Sequence, residues 1–104
     1  MRALVKVRSV ASLHDVETAI FEKEGFRVRL VPFEGRKAAL PPYRFDYMAS
    51  NKWKISDWKN ARLAAYVPFI KTIEVFRGDG STVKSDLRLG NLRDSYFDAY
   101  YGEA

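Results

Sequence analysis

The sequence predicts an α+β domain: a two-layer sandwich with a ferredoxin-like β-α-β-β-α-β order, an added C-terminal hairpin strand and a short terminal helix. Several short stretches alternate apolar and polar residues with period two, two helical patterns separate them, and glycine or proline stands at their boundaries. The chain has 104 residues and 12.0 kDa, the length of one domain, so we expect residues 1–104 to form a single small basic domain.

The first strand and the first helix are predicted from strictly local patterns. Residues 2–10 alternate basic and apolar side chains, which is typical of a half-exposed strand. A helix follows over residues 13–24, with an apolar stripe at helical spacing. Ser12 is expected to cap it, Asp15 to complete a capping box, and Gly25 to end it.

The middle of the chain is expected to hold two more strands and a second helix. Residues 26–31 alternate again, and Pro32, which has no N–H to donate, indicates an edge strand. Aromatic and charged residues alternate over residues 43–47, which predicts a third strand. Ser56 is the expected cap of a helix over residues 57–66.

The last third of the sequence predicts a hairpin and a terminal helix. Residues 70–77 are strand-like, and an Asp-Gly turn connects them to a short strand at residues 82–84. Asn91 is the expected cap of the final helix over residues 92–101.

Positive charge is concentrated in the middle of the chain. The formal net charge is +5, yet residues 26–71 alone carry a balance of +7. In a two-layer sandwich one face of the sheet stays open, and the parity of the strands places basic side chains on it. Such a face can attract phosphates, although half-exposed strands also carry arginine merely for solvation. The residues expected to share this face are Arg2, Lys6, Arg8, Arg27 and Arg29, with Thr72, Glu74 and Phe76 from the later strand.

Aromatic residues next to these cations suggest base stacking. Tyr43 stands on the predicted third strand, and Lys52, Trp53 and Lys54 interleave an indole with two ammonium groups. Two interpretations stay open: the rings stack on bases, or they belong to the core, as large aromatic side chains usually do.

The C-terminal segment is rich in aromatic residues. Tyr96, Phe97, Tyr100 and Tyr101 provide four rings within six residues, more than one short helix can turn toward a small core. This pattern indicates a sticky surface for self-association or a protein partner. The alternative is a helix packed flat, with its tyrosine hydroxyls in water.

The composition excludes several chemistries. The chain has no cysteine and a single histidine, His14, so thiolate zinc sites, iron–sulfur clusters, cysteine nucleophiles and multi-histidine centres are excluded. No nucleophile, metal or phosphate motif is present, and we therefore expect neither an enzyme nor a cofactor. The longest apolar run is far shorter than a membrane span and no signal peptide is recognisable, so we expect a cytoplasmic protein that does not enter membranes.

Two functions follow from the sequence. The first is a non-catalytic module that binds RNA or single-stranded DNA through Lys6, Arg8, Arg27, Arg29, Tyr43, Lys52, Trp53 and Lys54. The alternative is an adaptor or homo-oligomer that uses Tyr96, Phe97, Tyr100 and Tyr101 as its interface.

Overall fold

Three α-helices and a two-stranded sheet make up the part of the chain that the structure describes. The computed structural model describes residues 12–33 and 40–102, without the side chains of the last two. In chain order the elements are α1 (Leu13–Glu24), β1 (Arg27–Pro32), α2 (Ile55–Arg62), β2 (Ile70–Phe76) and α3 (Leu89–Phe97); a 3-10 turn, Ala64–Tyr66, follows α2, and a π-helical turn, Asp98–Gly102, follows α3.

Helix α1 has the predicted bounds and the predicted caps. Ser12 Oγ accepts a hydrogen bond from Asp15 N at 3.1 Å, and Asp15 Oδ2 accepts one from Ser12 N at 3.2 Å. Gly25 ends the helix in the left-handed conformation, φ +86°, and its N–H donates to Phe21 O at 3.0 Å. These signals lie within one helical turn of each end, so they need no tertiary contact.

Strands β1 and β2 pair antiparallel, with a register that matches the parity expected from the sequence. Val28 and Leu30 of β1 are buried, whereas the two arginines beside them are exposed. The register shifts between Val31 and Pro32, at the end of β1. The exposed face carries the direct partners Arg27 with Phe76, Arg29 with Glu74, and Val31 with Thr72.

The prediction of a ferredoxin-like sandwich is wrong. Within the described residues the sheet has only two strands, and residues 43–47 are not one of them. The segment folds around a carboxylate instead: Tyr43 Oη and Ala49 N both donate hydrogen bonds to Glu24. The α+β class stands, but a layer of several strands does not. The strand predicted over residues 2–10 lies outside the described residues.

Helices α2 and α3 both begin earlier than predicted. Helix α2 starts at Ile55 and α3 at Leu89, two and three residues before the predicted positions. Helix α2 also ends at Arg62, and only the 3-10 turn continues toward Pro68. Each helix start is fixed by backbone hydrogen bonds to the loop that precedes the other helix, and at α2 the Asp57 carboxylate adds a local contact by accepting from Lys54 N at 2.9 Å.

The predicted hairpin is present as a turn with a minimal return strand. Gly80 N donates to Arg77 O at 2.9 Å, and Arg77 N donates to Ser81 O at 2.7 Å. Gly80 has φ +92°, a conformation that favours glycine. The return strand is reduced to a single bridge between Phe76 and Thr82.

The core lies between α1, the inner face of the sheet, and helices α2 and α3. The rings of Phe26 and Trp58 meet edge to face, with their centroids 5.0 Å apart. The fully buried apolar side chains are Val16, Ile20, Phe26, Leu40, Ile55, Trp58, Leu89 and Leu92.

Candidate functional site

A fully buried carboxylate, Glu24, lies at the C-terminal end of α1 and ties three segments together. Its Oε1 accepts hydrogen bonds from Ala49 N and Arg93 Nη2, both at 2.9 Å. Its Oε2 accepts one from Arg62 Nη1 at 2.8 Å and another from the hydroxyl of Tyr43. A carboxylate is stable in the interior only when it is paired and hydrogen-bonded in this way.

The same cluster includes an indole and a phenol that serve the core. Trp58 Nε1 donates to Tyr43 Oη at 3.0 Å and lies 3.3 Å from Glu24 Oε2. Burial and the hydrogen bond to Glu24 raise the pKa of Tyr43 well above its ordinary value. The Tyr43 side chain is therefore buried and hydrogen-bonded in the core, so its ring is not available to stack on a base.

Arg62, the last residue of α2, connects this buried cluster to the surface. Its Nη1 also donates to Tyr47 O at 2.6 Å. Its guanidinium carbon lies 4.6 Å from the centroid of the Phe45 ring and 5.8 Å from that of Trp53.

Arg93 of α3 makes a second connection to the same segment. Its Nη1 donates to Ala49 O at 2.8 Å and to Asn51 Oδ1 at 2.7 Å, and its Nε donates to Glu24 O at 2.6 Å. The two arginines thus hold the segment between Tyr43 and Trp53 from both sides.

The loop before α2 pairs with the loop before α3. Ile55 N donates to Leu87 O at 2.9 Å, and Leu89 N donates to Trp53 O at 2.8 Å. Arg88 Nη1 donates to Lys52 O at 2.5 Å. In this arrangement a carbonyl of the opposite loop accepts a hydrogen bond from the first N–H of each helix, a group that has no partner within the helix itself.

This pairing creates a basic surface. Lys54 and Arg88 form an antiparallel bridge, so two cations that are 34 residues apart in sequence become neighbours, with Lys52 beside them. All three side chains are exposed, and the N-termini of α2 and α3 begin at the same place. The positive end of the α3 dipole adds to the field of the cations, whereas at α2 the Asp57 carboxylate in the first turn offsets part of it.

Two aromatic residues are connected to this surface, Trp53 through its place between the two lysines and Tyr47 through Arg62. Trp53 is partly buried, and Tyr47 is 82% exposed. Arg62 contacts both residues, through the Tyr47 carbonyl and the Trp53 ring. We call this set the basic loop surface; it consists of Tyr47, Lys52, Trp53, Lys54 and Arg88.

The predicted site residues on the sheet face lie apart from this surface. Arg27 is stacked on the ring of Phe21 at 4.4 Å, and Arg29 Nη1 lies 3.7 Å from Glu74 Oε1 in an exposed cross-strand pair. Lys6 and Arg8 lie outside the described residues.

The C-terminal aromatic residues do not share one environment. Tyr96 is buried, and its hydroxyl bonds to the ends of both strands. Phe97 and Tyr100 are 62% and 71% exposed. The side chain of Tyr101 lies outside the description.

Sequence reasoning missed Glu24, Arg62, Arg88 and Arg93. A signal existed for the first of these, because Val16, Ile20 and Glu24 follow one another at four-residue spacing, which puts a carboxylate on the apolar stripe of α1. The three arginines gave no such signal, since they look like solvated charges in the sequence.

Among the described residues, no group of three or more histidine or carboxylate side chains is placed to hold a metal ion. In the same part of the chain, none of the helices has the length and apolar character needed to cross a membrane. No protein-family model matches the sequence, and the searches of curated proteins and of solved structures found no similar protein.

Proposed function

We propose that this protein binds single-stranded nucleic acid, without catalysis, through the basic loop surface. The observation that carries the proposal is the pairing of the two loops, which brings Lys52, Lys54 and Arg88 together; Trp53 stands between the two lysines in the sequence, and Arg62 connects it to Tyr47. Cations spaced along a groove or loop contact the phosphate backbone, and this electrostatic contact supplies most of the non-specific affinity.

The aromatic residues favour a single strand over a duplex. A base stacks on an exposed ring only when it is not already stacked in a helix. Tyr47, at 82% exposure, presents most of its ring to solvent. It takes the stacking role that the sequence suggested for Tyr43.

The loops support this function better than the sheet does. Readers of single strands that use a sheet spread the bases over a wide open face of several strands. The described sheet has two strands, and on its exposed face Arg29 has Glu74 opposite it. The proposal therefore gives Arg27 and Arg29 no central role in binding the nucleic acid.

The test is a fluorescence-anisotropy titration of a labelled single-stranded 12-mer at several salt concentrations. Each phosphate contact contributes a slope of about −0.7 in log K against log salt. We expect a slope of about −2 for the wild type, from three contacts. The double variant Lys52→Gln, Lys54→Gln is expected to weaken binding and to make this slope shallower by about 1.4.

The matched control removes two charges elsewhere. Lys23 on α1 and Arg77 in the hairpin turn are both exposed, so Lys23→Gln with Arg77→Gln gives the same net charge. This control should keep the affinity and slope of the wild type to a first approximation. Equal losses in both double variants would mean that only net charge matters and would refute the assigned surface.

A second pair of variants tests stacking. Tyr47→Phe keeps the ring and is expected to bind like the wild type, whereas Tyr47→Ala should lose about 1–3 kcal/mol of binding free energy. Tighter binding of a matched duplex than of the single strand would contradict the stacking role.

A second candidate is a protein-partner or homo-oligomer surface at the end of α3. The exposure of Phe97 and Tyr100 favours it. Sedimentation velocity of the wild type against Phe97→Ser with Tyr100→Ser tests it, because these changes leave the buried Tyr96 in place. A monomeric wild type at high concentration would rule out self-association.

A further inference from the structure

Arg62 occupies an unusual position between a buried carboxylate and an exposed loop. Only 15% of its side chain is exposed, and its Nη1 lies 2.8 Å from Glu24 Oε2 and 2.6 Å from Tyr47 O. One guanidinium nitrogen therefore joins the core to the backbone of Tyr47, whose ring is the most exposed among the described large hydrophobic side chains.

The same guanidinium lies over two aromatic rings. The Phe45 ring lies 4.6 Å away and the Trp53 ring 5.8 Å away, both measured from the guanidinium carbon to the ring centroid. A planar guanidinium can stack and donate hydrogen bonds at the same time, whereas an ammonium group cannot stack in this way. Arg62 thus holds Tyr47 through its carbonyl and Trp53 through its ring.

We infer that Arg62 is a positioning residue that fixes Tyr47 and Trp53 in the orientation in which they stack on the bases of a bound single strand. The inference rests on the proposed function. Ordering a loop before binding removes an entropic cost from the binding step, and this gain appears directly in the affinity. Arg62 shares the Glu24 carboxylate with Arg93, and its side chain is mostly buried, so the role assigned to it does not require contact with the ligand.

The conservative variant Arg62→Lys separates position from charge. Lysine keeps the positive charge near Glu24, but it cannot bond to Glu24 and Tyr47 while stacking on Phe45. The matched control is Arg77→Lys, the same substitution at an exposed arginine in the hairpin turn, outside the proposed surface.

Three measurements are made on each variant: the dissociation constant for the single-stranded 12-mer, the salt slope, and acrylamide quenching of tryptophan fluorescence in the free protein. Trp58 is fully buried, so the change in quenching reports on Trp53. For Arg62→Lys we expect stronger quenching and an affinity about 3- to 10-fold lower, the effect of one or two side chains that must be ordered on binding.

The salt slope should stay unchanged in Arg62→Lys. A substitution that leaves the phosphate contacts in place does not change the number of released counterions. A slope that becomes shallower by about 0.7 would mean that Arg62 contacts a phosphate itself, and the positioning role would be wrong.

A second variant keeps the inference testable if Arg62→Lys fails to fold. Phe45→Leu removes the ring under the guanidinium and leaves the ion pair between Arg62 and Glu24 intact. It should shift quenching and affinity in the same direction. Unchanged quenching and affinity in both variants, each shown by circular dichroism to be folded, would overturn the inference.

A failure of the proposed function gives a different result. In that case the wild type does not bind the oligonucleotide at low salt, and the positioning role falls with it. If the wild type binds and both folded variants match it in affinity and quenching, only the inference fails.

Discussion

The hydroxyl of Tyr96 lies between the ends of the two strands and accepts a hydrogen bond from Arg27 N at 2.8 Å, across 69 residues of sequence. The same hydroxyl donates to the carbonyl of Phe76, which is the register partner of Arg27. At this end of the sheet a side chain of α3 therefore bridges Arg27 N and Phe76 O. In a regular antiparallel pair these two backbone groups would be expected to bond directly to each other.

Tyr96→Phe is expected to destabilise the protein by about 1–3 kcal/mol, because Arg27 N–H and Phe76 C=O each lose a partner. Urea unfolding measures the change. The control is Tyr66→Phe: Tyr66 is also buried, but none of the described residues hydrogen-bonds to its hydroxyl. An equal loss in the control would mean that the bridge contributes nothing specific.

Glu24→Gln is expected to cost about 3–5 kcal/mol of unfolding free energy, since it leaves Arg62 and Arg93 partly buried without their counter-charge. Glu22→Gln, an exposed position on the same helix, should stay within about 0.5 kcal/mol of the wild type. Equal midpoints of urea unfolding for the two variants would contradict the central role of Glu24.

Stability should decline in alkaline solution because of buried tyrosines. Burial raises the pKa of Tyr66 from 10.0 to about 12. Below the lower value the hydroxyl is protonated in both states and adds no pH dependence. Between the two values the unfolded chain loses the proton and the folded protein keeps it, so the unfolding free energy falls as pH rises.

Two measurements check this expectation. Absorbance at 295 nm should reveal tyrosines that ionise late, among them Tyr43 and Tyr96, whose pKa values are also raised by burial. Unfolding in urea at pH 9 and pH 11 should show a smaller loss in Tyr66→Phe than in the wild type. An identical pH dependence of the two proteins would refute the contribution of Tyr66.

Gly78→Ala should destabilise the hairpin turn by about 1–3 kcal/mol, the usual range for an overpacked site. A Cβ on Gly78 would lie 2.3 Å from Ser95 O and 2.8 Å from Tyr96 Cα, and both atoms belong to the backbone of α3. Thermal unfolding measures the effect. Gly80→Asn is the comparison, since Gly80 has open space around it and asparagine tolerates its positive φ; a larger loss there would refute the steric explanation.

Elements governed by neighbouring residues were predictable from the sequence. The bounds of α1 were predicted correctly because Ser12, Asp15 and Gly25 act within one turn of the helix ends. The shared face of β1 and β2 followed from side-chain alternation, which is a property of an extended backbone.

The elements that were predicted wrongly depend on partners that are distant in sequence. The alternation of Tyr43, Phe45 and Tyr47 resembles a strand, but Glu24 draws the Tyr43 hydroxyl inward. The starts of α2 and α3 were missed because Leu87 O and Trp53 O, which are distant in sequence, accept from their first N–H groups; at α2 only half of a capping box accompanies this bond, in which Asp57 accepts from Lys54 N.

By itself the sequence determined an α+β class, the helix α1, two strands with the face that their side chains share, the turn after β2 and a positive middle segment, all of which follow from local periodicity and composition. Only the tertiary structure decided that the sheet stops at two strands in the described residues, that Tyr43 is internal and Tyr47 external, and that Lys52, Lys54 and Arg88 form one surface. The physical reason is the buried carboxylate of Glu24. Its charge must be matched by hydrogen bonds and by Arg62 and Arg93, and these contacts organise the segment from Tyr43 to Asn51 that precedes α2.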